Sequence, residues 1–404
     1  MSPPLPRCSL RRALFSGLVL ASVGCYASHE RGDRGTGDGA RDGSSIDASG
    51  LDALTDRTMP FPESGVSDGS SDGTTDGGAI EPFRCEAVNS VDVLFVIDNS
   101  GSAGGYRRAV RRHLAKVIEE LALPRDLDGD GAEDWPAIQD ANFGLTTTAV
   151  SDGDNCRDAL DGRLRRGPVV DPECPAIYPA IVRYRPGDPI AEVQKHIECH
   201  GRGIVPGCSI EQPLEAMVKA LLPARSPFPF LSGSGRGSTD NAGFLRPDSL
   251  LAVVVVADED DCSYEQPLRD PPDGDGGLIP PDAGLPPGIC ERPNALFPIE
   301  RYVAALEWLR PRGNFVFVAV TGSPETFTYD RVGGELASLL SSPGMLGQYA
   351  CASSDGAVEP GRRLAQVAEA VAPRSGIGSV CRLTSHELGG GVAGLVGRRA
   401  CLAR

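Results

Sequence analysis

The sequence predicts an α/β domain built on an open, mostly parallel sheet, and three observations carry that prediction. Two runs, Val91-Asp92-Val93-Leu94-Phe95-Val96-Ile97 and Leu250-Leu251-Ala252-Val253-Val254-Val255-Val256, are almost wholly apolar and rich in β-branched residues, the composition of strands buried on both faces. Each runs straight into polar residues: Asp98-Asn99-Ser100-Gly101-Ser102 after the first and Asp258-Glu259-Asp260-Asp261 after the second. Helical stretches alternate with strand-like runs between and beyond them, so parallel strands are expected to deliver their polar ends to one edge of the sheet.

In 404 residues the chain carries 50 Gly, 34 Pro, 40% hydrophobic residues and a net charge of -16, enough apolar material for one large core and much loop besides. The acidic balance argues against nucleic acid and against an anionic membrane surface as partners, because both would repel it. Near the start, Arg7, Arg11 and Arg12 precede the apolar run Ala13–Val23, which is too short to span a bilayer and has the form of a secretion signal. Leu20-Ala21-Ser22-Val23-Gly24-Cys25 resembles a bacterial lipobox, with Ser22 where that motif usually has an aliphatic residue. The resemblance implies a signal peptide over 1–24 and lipidation of Cys25. It also implies a place in the bacterial cell envelope, with the chain held to the outer membrane through the lipid anchor only. Residues 25–84 are dominated by Gly, Ser, Asp and Thr and cannot bury enough surface to fold, so they are expected to be a disordered tether. Its reach is roughly 40 Å, from about 5–6 Å times the square root of the residue number.

The folded part is expected over 85–404, with insertions at about 123–140, 151–188 and 262–293. Of the 12 cysteines, Cys8 and Cys25 fall in the leader and anchor; the other ten, from Cys85 to Cys401, are an even set in an exported chain and predict disulfides. Cys85 with Cys401 would close the ends of the domain, and Cys208 is expected to pair with Cys199.

The first strand ends in D-x-S-x-S. One carboxylate and two hydroxyls at two-residue steps, Asp98, Ser100 and Ser102, offer hard oxygen donors suited to a small divalent cation. Helix Tyr106–Leu121 follows, with Val110, Leu114, Val117, Ile118 and Leu121 on one stripe. Next, Asp126-Leu127-Asp128-Gly129-Asp130-Gly131-Ala132-Glu133-Asp134 puts acids at loop positions 1, 3, 5 and 9 and Gly at 6, a spacing that converges carboxylates on Ca2+. Ala137 stands where an EF-hand has its bidentate Glu, so Asp126, Asp128, Asp130 and Asp134 are more similar to the short calcium loops of extracellular repeat proteins.

A second strand is expected over Asn142–Ala149, a disulfide-rich excursion with an edge hairpin over Cys156–Tyr184, and a helix over Pro189–Cys199. His196, Cys199 and His200 do not have H-E-x-x-H spacing, which argues against zinc. Gly207–Met217 leads into another amphipathic helix, and Ser209 is the nearest hydroxyl to that junction. After Asp258, the run Glu259, Asp260 and Asp261 reads as either a second cation site or a solvated acidic turn. Helix Ile299–Leu309, strand Asn314–Thr321, helix Arg362–Val371, a short strand near Ser379–Leu383 and helix Glu387–Arg399 complete the series. Gly389-Gly390-Gly391-Val392-Ala393-Gly394 formally fits G-x-G-x-x-G but lies inside a helix where it should open one, so it is read as chance.

The D-x-S-x-S strand, together with the second apolar strand ending in Asp258, resembles the metal-ion-dependent adhesion site of von Willebrand factor type A domains. Ala103 replaces the usual Met or Leu after the second Ser, and Ala257 and Glu259 replace the usual neighbours of the last Asp. The resemblance implies a doubly wound, Rossmann-like sheet with helices on both faces. It further implies a Mg2+ or Mn2+ site at Asp98, Ser100, Ser102, Ser209 and Asp258, with Ser209 standing in for the family's Thr. Domains of that family mostly bind a protein or extracellular matrix ligand whose carboxylate completes the metal's coordination, so a non-enzymatic, cation-dependent binding module is expected. Asp98 is then expected to serve the metal and not the core. Two alternatives stay open: a metal-assisted hydrolase using Asp98, Asp258 and Asp260, for which no G-x-S-x-G or D-x-H supplies a nucleophile or base, and a structural envelope protein with a vestigial site.

Overall fold

A computed structural model describes residues 90–104, 106–126, 131, 133, 137–151, 156, 159–167, 173–174, 178–202, 204, 207, 210–265, 290, 295–311, 313–323, 350–353, 356–382 and 391–396. All of them belong to one compact unit, Ile80–Arg404. The expected signal, Cys25, the tether, Ser209, Asp128, Asp130 and Asp134 lie outside the described residues.

Strand β1 (Ser90–Ile97) is central because it has no polar face: every side chain from Val91 to Ile97 is buried. It pairs in parallel with β2 (Asp140–Thr147) on one side and with β4 (Leu250–Val256) on the other. Outside β4 come β5 (Phe315–Thr321) and then β8 (Ser375–Ser379), both parallel. The three-residue β3 (Val182–Tyr184) closes the opposite edge antiparallel to β2. The sheet order is therefore β3-β2-β1-β4-β5-β8. A separate antiparallel pair, β6 (Cys351–Ser353) and β7 (Gly356–Val358), precedes β8.

Helices cover both faces, because alternate residues of the central strands feed two separate cores. Val91, Val93, Phe95 and Ile97 pack with α1 (Tyr106–Ala122), α2 (Ile190–Arg202) and residues 391–396, while Leu94 and Val96 pack with α3 (Pro213–Leu221), α4 (Ile299–Leu309) and α5 (Arg362–Ala370). Asp92 is the one charge in β1, fully buried at the end away from the acidic loops. Arg246 donates to it from its backbone N–H at 2.7 Å and from Nε at 2.8 Å. Burial raises the Asp92 carboxyl above the usual aspartate range while the Arg246 bonds pull it back, and removing only one of such partners strands the other in the interior.

Several expectations are corrected. The second strand starts at Asp140 and stops at Thr147, because its register is set by pairing with Ser90–Ile97. The last strand is Ser375–Ser379, with a 3-10 turn over Val380–Arg382; its Ser-Gly-Ile-Gly-Ser sequence has little strand propensity and is extended by pairing with β5. No hairpin forms among the described residues before Tyr184, only the single edge strand β3. Cys199 pairs with Cys174, and Cys262 pairs with Cys290 across the long insertion. Cys156 and Cys381 are also in disulfides.

Candidate functional site

The site lies at the carboxyl edge of the sheet, where the crossovers leaving β1 and β4 go to opposite sides, the usual ligand crevice of an open parallel sheet. The register brings the two polar loops together. Ile97 stands opposite Val256, and Asp98 donates its N–H to the Val256 carbonyl at 2.9 Å. The Asp258 N–H then donates to Asp98 Oδ2 at 3.3 Å, and the Ser100 N–H to Asp98 Oδ1 at 2.7 Å. Ser100 and Ser102 share a hydroxyl hydrogen bond of 2.8 Å, and Ser102 also reaches Asp258 Oδ1 at 3.5 Å and Glu259 Oε1 at 3.1 Å. Asp98, Ser100 and Asp258 are all buried. Four of the five residues expected at the main site are thus brought together, and the fifth, Ser209, is outside the described residues.

Asn99, buried between them, fixes the neighbouring loop. Gly207 donates its N–H to the Asn99 carbonyl at 2.7 Å, and a Cβ at Gly207 would stand 2.1 Å from Asn99 Nδ2, so only glycine fits there. Thr148, at the end of β2, donates its hydroxyl to Glu211 Oε2 and lies 3.4 Å from Asn99 Oδ1.

Glu211 is a site residue that the sequence does not announce. It is 2% exposed, and its Oε1 is buried with no hydrogen-bond partner. Burial first, then the negative charges of Asp98 and Glu259, hold its carboxyl well above the usual glutamate range. Glu259 is raised by burial and by Asp98 in the same way. The available signal was an acid two residues ahead of a helix that Pro213 opens; Ser209 drew attention because the family's ligand there is a hydroxyl.

The run of four acids divides in two. Asp258 and Glu259 face Ser102, but Asp260 and Asp261 turn to the helices. Asp260 Oδ1 accepts the N–H groups of Arg363 and Asp261, both at 2.9 Å, and burial pushes its carboxyl up to about 7. Asp261 accepts the Leu214 N–H at the start of α3 at 2.9 Å, the Ser263 hydroxyl at 2.7 Å and Arg363 Nε at 3.0 Å. Both are taken up by donors at the helix starts, and they hold the first turns of α3 and α5.

The donor set at the crevice is all oxygen: carboxylates, hydroxyls and one carboxylate oxygen with no partner, which is the chemistry a hard divalent cation takes. Among the described residues no three His, Cys, Asp or Glu side chains stand close enough to hold an ion between them as they are. A cation at Asp98 and Asp258 would therefore lean on the Ser100 and Ser102 hydroxyls. In the expected calcium loop, Asp126 is exposed and accepts the Gly131 N–H at 2.8 Å.

No protein-family model matches the chain, and no curated protein does. Among solved structures the chain is similar to proximal thread matrix protein 1 from the mussel byssus, at 11% identity over 58% of this chain and 39% of that one, with a TM-score of 0.24. It is also similar to the pilus adhesin SpaC of Lactobacillus rhamnosus GG in its open conformation, at 13% identity over 58% of this chain and 24% of that one, with a TM-score of 0.28. The chain spans well under half the length of either.

Proposed function

We propose that this chain is a cation-dependent binding module of the von Willebrand factor type A kind, carried on a lipidated tether in the bacterial cell envelope. A single observation carries the reading: Asp98, Ser100, Ser102 and Asp258, 160 residues apart at the extremes, meet at the ends of two adjacent parallel strands. In this reading a doubly wound sheet presents a Mg2+ or Mn2+ ion, held by the two aspartates and two hydroxyls, to a protein or matrix ligand that contributes a carboxylate. The protein's own part is to bury the aspartates and to set the two serine hydroxyls beside them; the ion would supply the charge that a partner's acid can join. Octahedral Mg2+ seeks six oxygens and keeps water where the protein offers none, so metal and partner affinities should be coupled reciprocally.

The hydrolase alternative loses support because Asp260, one of its three acids, is engaged by backbone N–H groups of Asp261 and Arg363. The structural alternative is favoured by the absence, among the described residues, of three gathered metal-binding side chains. Pull-down from bacterial envelope extracts with and without EDTA separates the two readings. Capture that needs Mg2+ and disappears in Asp98→Asn supports the binding module. Capture indifferent to both EDTA and Asp98→Asn would remove the loop from recognition.

A further inference from the structure

Outside the crevice, the buried acids of this domain are met by Lys or Arg. Asp92 has Arg246, Glu120 has Lys116 and Arg125, Asp161 has Lys219 and Arg236, Glu215 has Arg301, and Asp261 has Arg363. Among the described residues Glu211 has no Lys or Arg in ion-pair reach, and the charges acting on it, from Asp98 and Glu259, are negative. Burying a carboxylate without compensation is costly, and native acids so placed are paired, take up a proton or bind a cation.

Its backbone is held over the crevice from two sides. Gln212 donates its N–H to the Thr148 carbonyl at 3.1 Å, beyond β2, and Cys262 donates to the Glu211 carbonyl at 2.7 Å, beyond β4. Residue 211 therefore bridges the ends of the strands that flank β1, whose own end carries Asp98. Thr148 steadies Oε2 and leaves Oε1 without a partner. Glu211 lies in direct side-chain contact with Asp98, while among the described residues no three acids gather about one point as they stand; an ion is what would draw them together.

We propose that Glu211, and not Ser209, is the ligand this helix junction gives to the cation, and that the added carboxylate makes the site prefer Ca2+ over Mg2+. The inference rests on the reading of Asp98 and Asp258 as a cation site and departs from it in the ion. Ca2+ takes six to eight oxygens in flexible geometry and accepts a carboxylate through both oxygens, whereas Mg2+ demands a tight octahedron and gives up its water reluctantly. Asp98, Asp258 and Glu211 with the two serine hydroxyls form a larger and more negative set than two acids and three hydroxyls.

The test is calorimetric titration of the full-length protein with Ca2+ alone and with Mg2+ alone. Binding from this site is identified as the part lost in Asp98→Asn, which keeps any contribution of the Asp126 loop apart. Wild type should bind Ca2+ at least tenfold more tightly than Mg2+ there. Glu211→Gln, which retains an oxygen for Thr148, should weaken Ca2+ at least tenfold, and Glu211→Thr should move the preference toward Mg2+. In EDTA the melting temperature of Glu211→Gln should equal or exceed that of wild type, since an uncompensated acid is removed; this confirms folding independently of the ion. Asp98-dependent Ca2+ affinity within twofold of wild type in Glu211→Gln would overturn the role of Glu211 while leaving the cation site standing. Absence of Asp98-dependent binding of either ion in wild type would overturn the site itself, and the inference with it.

Discussion

Asp98 accepts the backbone N–H of Asp258 at 3.3 Å, across the gap between the ends of β1 and β4. With the Ser100 N–H at 2.7 Å on its other oxygen, the fully buried Asp98 carboxylate organises both polar loops. It therefore serves the fold, whatever its part toward an ion, which corrects the expectation that it does not serve the core.

That double role separates two substitutions. Asp98→Ala should abolish cation binding and also destabilise the domain by about 1–3 kcal/mol, because a buried N–H left without its acceptor costs that much. Asp98→Asn keeps an amide oxygen for the Ser100 N–H and should cost less while still abolishing the ion. Urea unfolding in EDTA measures both. Equal stability of wild type and Asp98→Ala would show that the two N–H bonds contribute nothing net.

Asp261 and Arg363 should behave as one unit. Asp261 joins the first turn of α3 to Arg363 on α5, and Arg363 also donates to the Phe297 carbonyl at 2.6 Å. Asp261→Ala leaves a largely buried guanidinium without its carboxylate and should cost about 3–5 kcal/mol, the usual result of breaking one side of a buried pair. Arg363→Met in turn strands the buried Asp261 carboxylate, to which the Leu214 N–H and the Ser263 hydroxyl stay bonded, and should cost a similar amount. In a double-mutant cycle the costs should fall short of additive by about 1 kcal/mol or more, as for contacting residues. Additive costs would mean the two residues act separately.

Much of this architecture was legible because the informative residues are extreme. Strands of seven nearly unbroken apolar residues admit few readings besides a sheet buried on both faces, and Val91–Ile97 and Leu250–Val256 are such strands. The acids at the end of the second strand were legible as polar but not as a division of labour: which of Asp258, Glu259, Asp260 and Asp261 faces the crevice depends on where α3 and α5 start, a tertiary fact. Ser375–Ser379 was displaced because glycine and serine carry no strand signal and pairing with β5 decides. The Cys174–Cys199 bridge closes 25 residues, but spacing alone leaves many pairings possible. Glu211 was missed because a lone acid before a helix reads as a favourable N-terminal charge; its burial with one carboxyl oxygen lacking a hydrogen-bond partner sets it apart.

The Cys174–Cys199 bridge should contribute measurably to stability. Cross-linking residues separated by 25 positions restricts the unfolded chain by about 3 kcal/mol on the chain-entropy account. A Cys174→Ser, Cys199→Ser variant should lose about that much in urea unfolding under non-reducing conditions. A loss below about 1 kcal/mol would indicate that the segment is held by its packing, such as Tyr178 donating its hydroxyl to the Cys199 carbonyl at 3.3 Å.

His200 should make the domain sensitive to mild acid. The ring is fully buried, its Nε2 lies 2.8 Å from the Pro179 carbonyl, and it packs against Tyr178 with centroids 4.7 Å apart. Burial is the main cause that lowers its pKa to about 4, with Arg165 and His196 adding to it and the Pro179 bond opposing. The unfolded chain takes up a proton near pH 6.5 and the folded one only near pH 4, so this contribution is fully present above about pH 6.5 and is lost as pH falls toward 4. At pH 5 the loss attributable to His200 is about 2 kcal/mol, from 1.36 kcal/mol per unit of pKa difference over the part of that window already crossed. His200→Gln can still donate to Pro179 and does not titrate. Its unfolding free energy, measured in EDTA, should therefore fall between pH 8 and pH 5 by about 2 kcal/mol less than that of wild type. Identical pH dependence in the two proteins would show that His200 is not held neutral in the folded state.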